Sequence, residues 1–251
     1  MRLIPVLDLR GGAAVHARGG DRSRYAPVAS RLAPHAEPGD AAAIAAAYAG
    51  AGARTIYVAD LDAIEGRDSQ EGVVAACSDA AGPACGIWID AGVATAAAAR
   101  RWSAVRGIER IIVGLETISD MDALAGIARA VDAGRVVFSL DLRNGVPDSH
   151  AVAFRGQDPI ALADSAVRAG AACVVLLDLA RVGTGAGVDE ALAGQIAERI
   201  APAELVVGGG ISDLDAVRRL STLGVAGVLV ASALHDGRID GRALARHDPP
   251  A

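Results

Sequence analysis

The apolar residues of this chain fall into short β-type runs separated by alanine-rich stretches with helical spacing. The runs cover Leu3–Leu7, Thr55–Ala59, Gly86–Ile89, Arg110–Val113, Val136–Leu140, Cys173–Leu177, Leu205–Val207 and Gly227–Val230. Segments between them, such as Asp40–Ala51, Ile160–Ala169, Glu190–Ile200 and Asp213–Leu223, carry a helical repeat of apolar positions. Eight strands alternating with helices predict repeated βα units and a parallel sheet. A doubly wound sheet usually has fewer strands, and a Gly-x-Gly-x-x-Gly after the first. No such motif follows the first run here.

The chain also resembles itself. Val6-Leu-Asp8-Leu-Arg10-Gly11 matches Ser139-Leu-Asp141-Leu-Arg143-Asn144, with a glycine following in both. Val58-Ala-Asp60-Leu61 matches Leu176-Leu-Asp178-Leu179, and Ile89-Asp-Ala-Gly92-Val93 matches Val207-Gly-Gly-Gly210-Ile211. The last two correspondences share one offset along the chain. A closed (β/α)8 TIM barrel built of two half-barrels, about 1–132 and 133–245, accounts for this duplication. An open sheet does not.

Composition narrows the chemistry. The chain has 251 residues, a length that one α/β barrel fills without splitting. Only 3% of residues are aromatic, so aliphatic side chains and alanine build the core. Net charge is −6 with no basic tail, which argues against a nucleic-acid partner. All 24 basic residues are arginine. A chain without lysine forms no side-chain Schiff base, which removes class I aldolase and pyridoxal-phosphate chemistry. Cys77, Cys85 and Cys173 lack disulfide or zinc spacing and read as buried thiols. The N-terminal apolar run is too short for a signal segment, and no stretch is long enough to span a membrane, so a cytoplasmic protein is expected. His16, His150 and His235 show no metal-ligand spacing and read as loop or surface residues, and neither metal nor redox cofactor is implied.

Three features carry candidate chemistry. Asp8 and Asp141 end the first and fifth runs, which face each other across a barrel at its catalytic end. Two carboxylates flanking one substrate serve as base and acid when their environments separate their proton affinities. Capping of loop amides is the alternative role for such residues. Glycines 208 to 210 after the seventh run, with Ala231 and Ser232 opening a short helix after the eighth, suit a phosphate. The third feature is the glycine-rich loop Asp178-Leu-Ala-Arg181-Val-Gly-Thr184-Gly185-Ala-Gly187 after the sixth run. Asp60 and Asp178 end strands and are candidates to line the pocket. Residues Gly19–Pro38 form a long irregular stretch over the catalytic face, where lids lie. Arg18, Arg22 and Arg24 are placed to clamp an anion there.

Together these segments resemble the HisA/HisF-type phosphate-binding barrels, and within them the HisA-type isomerases that open the ribose of a two-phosphate aminosugar, proFAR. The likeness runs nearly the whole chain, through IPVLDLRGG, SLDL, DLARVGTGAG, GGGISD and VLVASAL. It implies an aldose-to-ketose (Amadori) isomerase with Asp8 as base, Asp141 as acid and Thr184 as supporting hydroxyl. It also implies a phosphate held by Gly185, Gly209, Gly210, Ala231 and Ser232, and no cofactor. The family pattern holds a second phosphate on glycines and small hydroxyl residues after the third and fourth strands. Those positions read Asp90-Ala-Gly92 and Gly114-Leu-Glu116-Thr117 here, and an acidic position of the sixth loop is Val182. Asp90 and Glu116 would repel a dianion in a partly dry site. The implied substrate is therefore a small phosphorylated sugar with one phosphate and a neutral, hydroxylated or cationic far end, touched by Arg18, Asp60, Asp90, Glu116, Asp178 and Arg181. This is closer to an uncharacterised HisA-related group, which we associate with methanopterin-type cofactor biosynthesis, than to histidine biosynthesis. Alternatives are a true proFAR isomerase, a non-catalytic phosphate-ligand binder or assembly protein on the same barrel, and a HisF-like cyclase fed ammonia by a glutaminase partner. Arginine pairing of Asp8 and Asp141, by residues such as Arg10 and Arg143, would favour the binder.

Overall fold

A computed structural model describes residues 1–16 and 25–247. Arg18, Arg22 and Arg24 lie outside the described residues. The barrel strands are β1 (Arg2–Arg10), β3 (Thr55–Asp60), β4 (Gly86–Asp90), β5 (Ile108–Gly114), β6 (Val136–Arg143), β8 (Cys173–Asp178), β9 (Glu204–Gly208) and β10 (Gly227–Val230). They pair in parallel in that order, and β10 returns to β1 with Arg2 opposite Gly227, so the sheet closes into an eight-stranded barrel.

Two short strands are additional. β2 (Ala13–Val15) and β7 (Val146–Pro147) fold back antiparallel on the ends of β1 and β6. They prolong both strands beyond the apolar runs, so Asp8 and Asp141 lie within strands rather than at their last residues. Asp8 is paired on both sides, opposite Val15 and Ala59.

Helices α1 (Ala41–Gly50), α3 (Glu71–Ala81), α4 (Ala96–Ser103), α5 (Met121–Ala130), α6 (Pro159–Arg168), α7 (Glu190–Ile200) and α8 (Leu214–Thr222) alternate with the strands. Short helices α2 (Leu61–Ile64), α9 (Ser232–His235) and α10 (Arg242–His247) complete the set. Seven of them start at one device: Asp40, Asp60, Thr95, Asp120, Asp158, Asp189 and Asp213 each accept an amide hydrogen bond from three residues on. A side-chain oxygen there satisfies an otherwise orphaned helical N–H.

Side chains alternate across a strand, so each strand has one parity facing the helices and one facing the barrel axis. Leu3, Leu7, Ile56, Val58, Ile87, Ile89, Phe138 and Leu140 pack outward in the large core. Ile4, Tyr57, Trp88, Ile112, Val137, Cys173, Val175, Val206 and Leu229 form a second, interior cluster. That interior is a packed plug. Trp88 is fully buried with Arg110 and Arg2 against its ring, their guanidinium carbons 4.6 and 5.4 Å from the ring centroid. Glu204 ties both arginines, at 2.7 and 2.9 Å, and their charges hold its carboxyl below its ordinary proton affinity.

Candidate functional site

Counting upward from the inward residues fixes which polar groups meet. Asp8 shares the parity of Ile4, Asp90 that of Trp88, and Asp141 that of Val137. All three line one open cavity of about 540 Å³, together with Val6, Tyr57 and Leu229 on its floor. Glu116, just beyond β5, lines it as well. On the opposite side the cavity is walled by Gly185, Gly209, Gly210, Ala231 and Ser232, so all five phosphate candidates converge.

Asp60 and Asp178 have the opposite parity, and the expectation that they line this pocket is corrected. Asp60 is fully buried and works as a local clasp. It accepts from the amides of Gln70 (2.7 Å) and Ala63 (3.1 Å), from the Gln70 side chain (2.9 Å) and from the Ser69 hydroxyl (3.2 Å). Asp178 accepts from the amides of Ala180 (3.1 Å) and Asn144 (3.2 Å) and pairs with Arg181 at 3.4 Å. Arg181 and Asp178 border a separate small cavity. Thr184 also stands apart from the main cavity. Its exposed hydroxyl donates to the Arg181 carbonyl (2.7 Å) and accepts from the Ala186 amide (3.2 Å), so it shapes its own loop.

Electrostatics single out Asp141. Asp141 is 7% exposed and accepts a 2.8 Å hydrogen bond from the Ser139 hydroxyl. Burial first, and then the negative charges of Asp90, Glu116 and Asp148, push its carboxyl up to about 8. Asp141 is therefore predominantly protonated at neutral pH. Arg143 does not neutralise it, because its guanidinium pairs with Asp148 at 3.0 Å. Arg10 reaches Glu65 at 3.8 Å.

The wall formed by the candidate phosphate residues owes its shape to glycine. Gly209 and Gly210 have φ of +96° and +82°, and a Cβ on them would stand 2.9 Å from the Asp178 carbonyl oxygen and 2.8 Å from the Gly187 nitrogen. These glycines serve two ends, since they let the loops after β8 and β9 touch while presenting bare backbone to the cavity. The His16 imidazole meets the Ser232 hydroxyl at 2.6 Å. His235, read from the sequence as a loop or surface residue, is buried at 5% exposure beside Tyr48, whose hydroxyl is 3.1 Å away. Burial and the neighbouring His16 push its pKa down to about 4.

The sequence reading missed Tyr57, Asp148, His150 and Arg238 as cavity residues. Parity along β3 would have found Tyr57. The other three sit on loops whose positions follow from barrel closure, and nothing in their spacing signals it. Among the described residues no three His, Cys, Asp or Glu side chains gather as metal ligands do, and no helix is long and apolar enough to cross a membrane.

Comparison with known proteins matches this geometry. A family model described as histidine biosynthesis protein covers residues 2–240. An uncharacterized protein of Methanocaldococcus jannaschii is 31% identical over 241 residues, covering 96% of each chain. The 1-(5-phosphoribosyl)-5-((5-phosphoribosylamino)methylideneamino)imidazole-4-carboxamide isomerase of Thermus thermophilus is 31% identical over 245 residues, covering 95% of this chain and 96% of its own. The enzyme of that name from Rhodospirillum centenum is 31% identical over 251 residues, with 96% and 94% covered. A closed barrel, two aspartates from opposite strands in one cavity and a family match spanning residues 2–240 lead to one conclusion: this chain belongs to the histidine biosynthesis protein family.

Proposed function

We propose that the chain is a HisA-like acid–base isomerase of a ribose-type monophosphate, with Asp141 as general acid and Asp8 as general base. The observation that carries this reading is the buried Asp141 carboxyl, whose proton affinity burial raises, facing the same cavity as Asp8. A carboxyl that keeps its proton near pH 7 can deliver it to a ring oxygen, which opens the sugar. The bond from carbon 1 to the ring oxygen breaks as the heteroatom on carbon 1 forms a double bond to it. Asp8 then takes the proton from carbon 2, the C–H electrons form the carbon 1–carbon 2 double bond, and the former double-bond pair returns to the heteroatom. Loss of the 2-hydroxyl proton with protonation of carbon 1 gives the ketose. Gly185, Gly209, Gly210, Ala231 and Ser232 hold the phosphate, and Arg238, beside Gly185, adds a positive charge to that wall.

The substrate's far end lies toward Asp90 and Glu116. Those side chains disfavour a second phosphate and suit a neutral or cationic group, such as the aryl end of an aryl-ribose phosphate in methanopterin-type cofactor biosynthesis. A second reading, isomerisation of the two-phosphate histidine intermediate, is favoured by the activity for which the Rhodospirillum and Thermus relatives are named. The cyclase reading is not supported, because Trp88 and its neighbours fill the axis along which ammonia would travel.

Thermal shift separates the first two readings. A ligand that binds the folded state alone stabilises by about 2.7 kcal/mol at one hundred times its Kd. Ribose 5-phosphate and aryl-ribose 5-phosphates are expected to raise the Tm, and the two-phosphate intermediate is expected to leave it near the ligand-free value. The reverse order would establish the histidine-pathway reading and refute the single-phosphate one.

A further inference from the structure

We propose that His16 is a positioning residue of the phosphate subsite, which donates to the Ser232 oxygen and so turns the Ser232 proton toward the substrate phosphate. This rests on the reading of Gly185, Gly209, Gly210, Ala231 and Ser232 as a phosphate wall, and adds to it the residue that aims its hydroxyl.

A serine hydroxyl has a single proton on a free rotor, and two lone pairs. It helps an anion only when that proton points at the anion. Ser232 lines the cavity, and its oxygen stands 2.6 Å from His16 Nε2. Two proton arrangements fit this contact. Where Ser232 donates to the imidazole, only lone pairs are left to face a phosphate oxygen, and they repel it. Where Nε2–H donates to Ser232, the hydroxyl proton is released for the phosphate. A neutral imidazole carries its proton on either nitrogen, so a bound anion selects the second arrangement.

Both partners are held from behind. His16 follows Val15, which pairs with Asp8 across β2 and β1, and its amide donates to the Ala26 carbonyl at 2.9 Å. Ser232 opens α9, and three residues on His235 is buried in the core. Tyr48 gives its hydroxyl proton to the Val6 carbonyl at 3.1 Å, so His235 Nε2 donates to the Tyr48 oxygen, also at 3.1 Å. The His235 carbonyl accepts from the Arg31 amide at 2.9 Å. The His16 ring lies edge-on to the His235 ring, with centroids 6.2 Å apart. With the backbone of α9 fixed in this way, what His16 controls is the direction of one O–H bond.

The duplicated half-barrel supplies a comparison. Ser149 lies as far beyond His16 as Asp141 lies beyond Asp8, and it too comes just after a short returning strand, β7. Its hydroxyl donates to the Leu115 carbonyl at 3.1 Å, in the loop after β5. There the hydroxyl proton is spent on backbone. At the equivalent contact after β10, the imidazole leaves a hydroxyl proton for a ligand.

The test is a double-mutant cycle read by the calorimetric Kd for ribose 5-phosphate. Ser232→Ala is expected to raise the Kd about tenfold, the scale of losing one hydrogen bond to a charged group. His16→Ala is expected to raise it about fivefold, and the double variant to bind no more weakly than Ser232→Ala, because His16 acts only through that hydroxyl. His16→Gln, whose amide N–H can also donate to Ser232, restores most of the affinity. A purely structural His16 would weaken binding in both backgrounds and gain nothing from glutamine. Melting curves of the ligand-free variants confirm that each is folded. If Ser232→Ala weakens binding but His16→Ala does not, or if the His16→Ala effect persists in full beside Ser232→Ala, this inference is overturned and the phosphate wall stands. Ribose 5-phosphate binding that is absent in the wild type, or indifferent to Ser232→Ala, overturns both.

Discussion

Asp8→Asn is expected to lower kcat by about 10³-fold while leaving phosphate-ligand binding near wild type. Asparagine keeps the size and hydrogen-bonding reach of the side chain but has no basic site to receive a proton. Loss of a general base costs typically 10²–10⁴-fold. The middle of that range applies rather than its lower end, because the backbone around Asp8 is pinned on both sides, by Val15 and Ala59. The proposed phosphate wall comes from loops after β8, β9 and β10, so the anchoring half of the substrate should not register the change. The measurement is steady-state kinetics paired with a thermal shift for the same ligand. Wild-type kcat in Asp8→Asn would remove Asp8 from the mechanism, whereas lost binding together with lost turnover would recast it as a binding residue.

The second large effect is on stability. Trp88→Ala is expected to cost about 3–5 kcal/mol, the range for truncating a fully buried large aromatic. The ring fills the barrel axis below the catalytic cavity, and its place cannot be taken easily by neighbours. Ile4, Ile112, Val137 and Val206 are anchored on strands of a closed sheet. Truncation also removes the surface against which Arg2 and Arg110 rest, leaving both cations beside a void with Glu204 as their remaining partner. For a chain of this length a loss of 4 kcal/mol is about 8–16 °C in Tm. Denaturant unfolding of Trp88→Ala and Trp88→Phe gives the check, with phenylalanine retaining part of the ring's packing. A loss under about 1 kcal/mol for alanine would show that the barrel base can collapse, contrary to the close packing described.

The barrel itself was legible in the chain because its signal is redundant. Eight apolar runs, the helical spacing between them and the internal duplication all point to the same closed sheet. Much of the cavity lining was also legible, since Asp8, Asp141, Asp90, Glu116 and the five candidate phosphate residues line one cavity. The errors have a common physical origin. Asp60 and Asp178 end strands, and proximity to the catalytic end was read as exposure to the pocket. A strand's end fixes height along the barrel, whereas facing is fixed by parity, and both residues point the other way. Thr184 lies on a loop, where neither rule applies, and its hydroxyl is consumed by backbone groups of that loop. The strand extensions at β2 and β7 were invisible for a related reason. Their hydrogen bonds are local to two hairpins, and the residues involved are too few to show periodicity. The raised proton affinity of Asp141 also had no sequence signal, because it needs the burial and the three carboxylates that the fold assembles around it.

The central claim is that Asp141 works as an acid at neutral pH, and the pH dependence of kcat/KM tests it most directly. That quantity reports the ionisations of the free enzyme. With the ribose-type monophosphate that gives the largest thermal shift as substrate, the profile should be a bell. Its basic limb should fall with a midpoint near 8, as Asp141 loses the proton it must donate. A profile that stays level or keeps rising through pH 9 would mean that the acid form of Asp141 is not required, and would contradict the account.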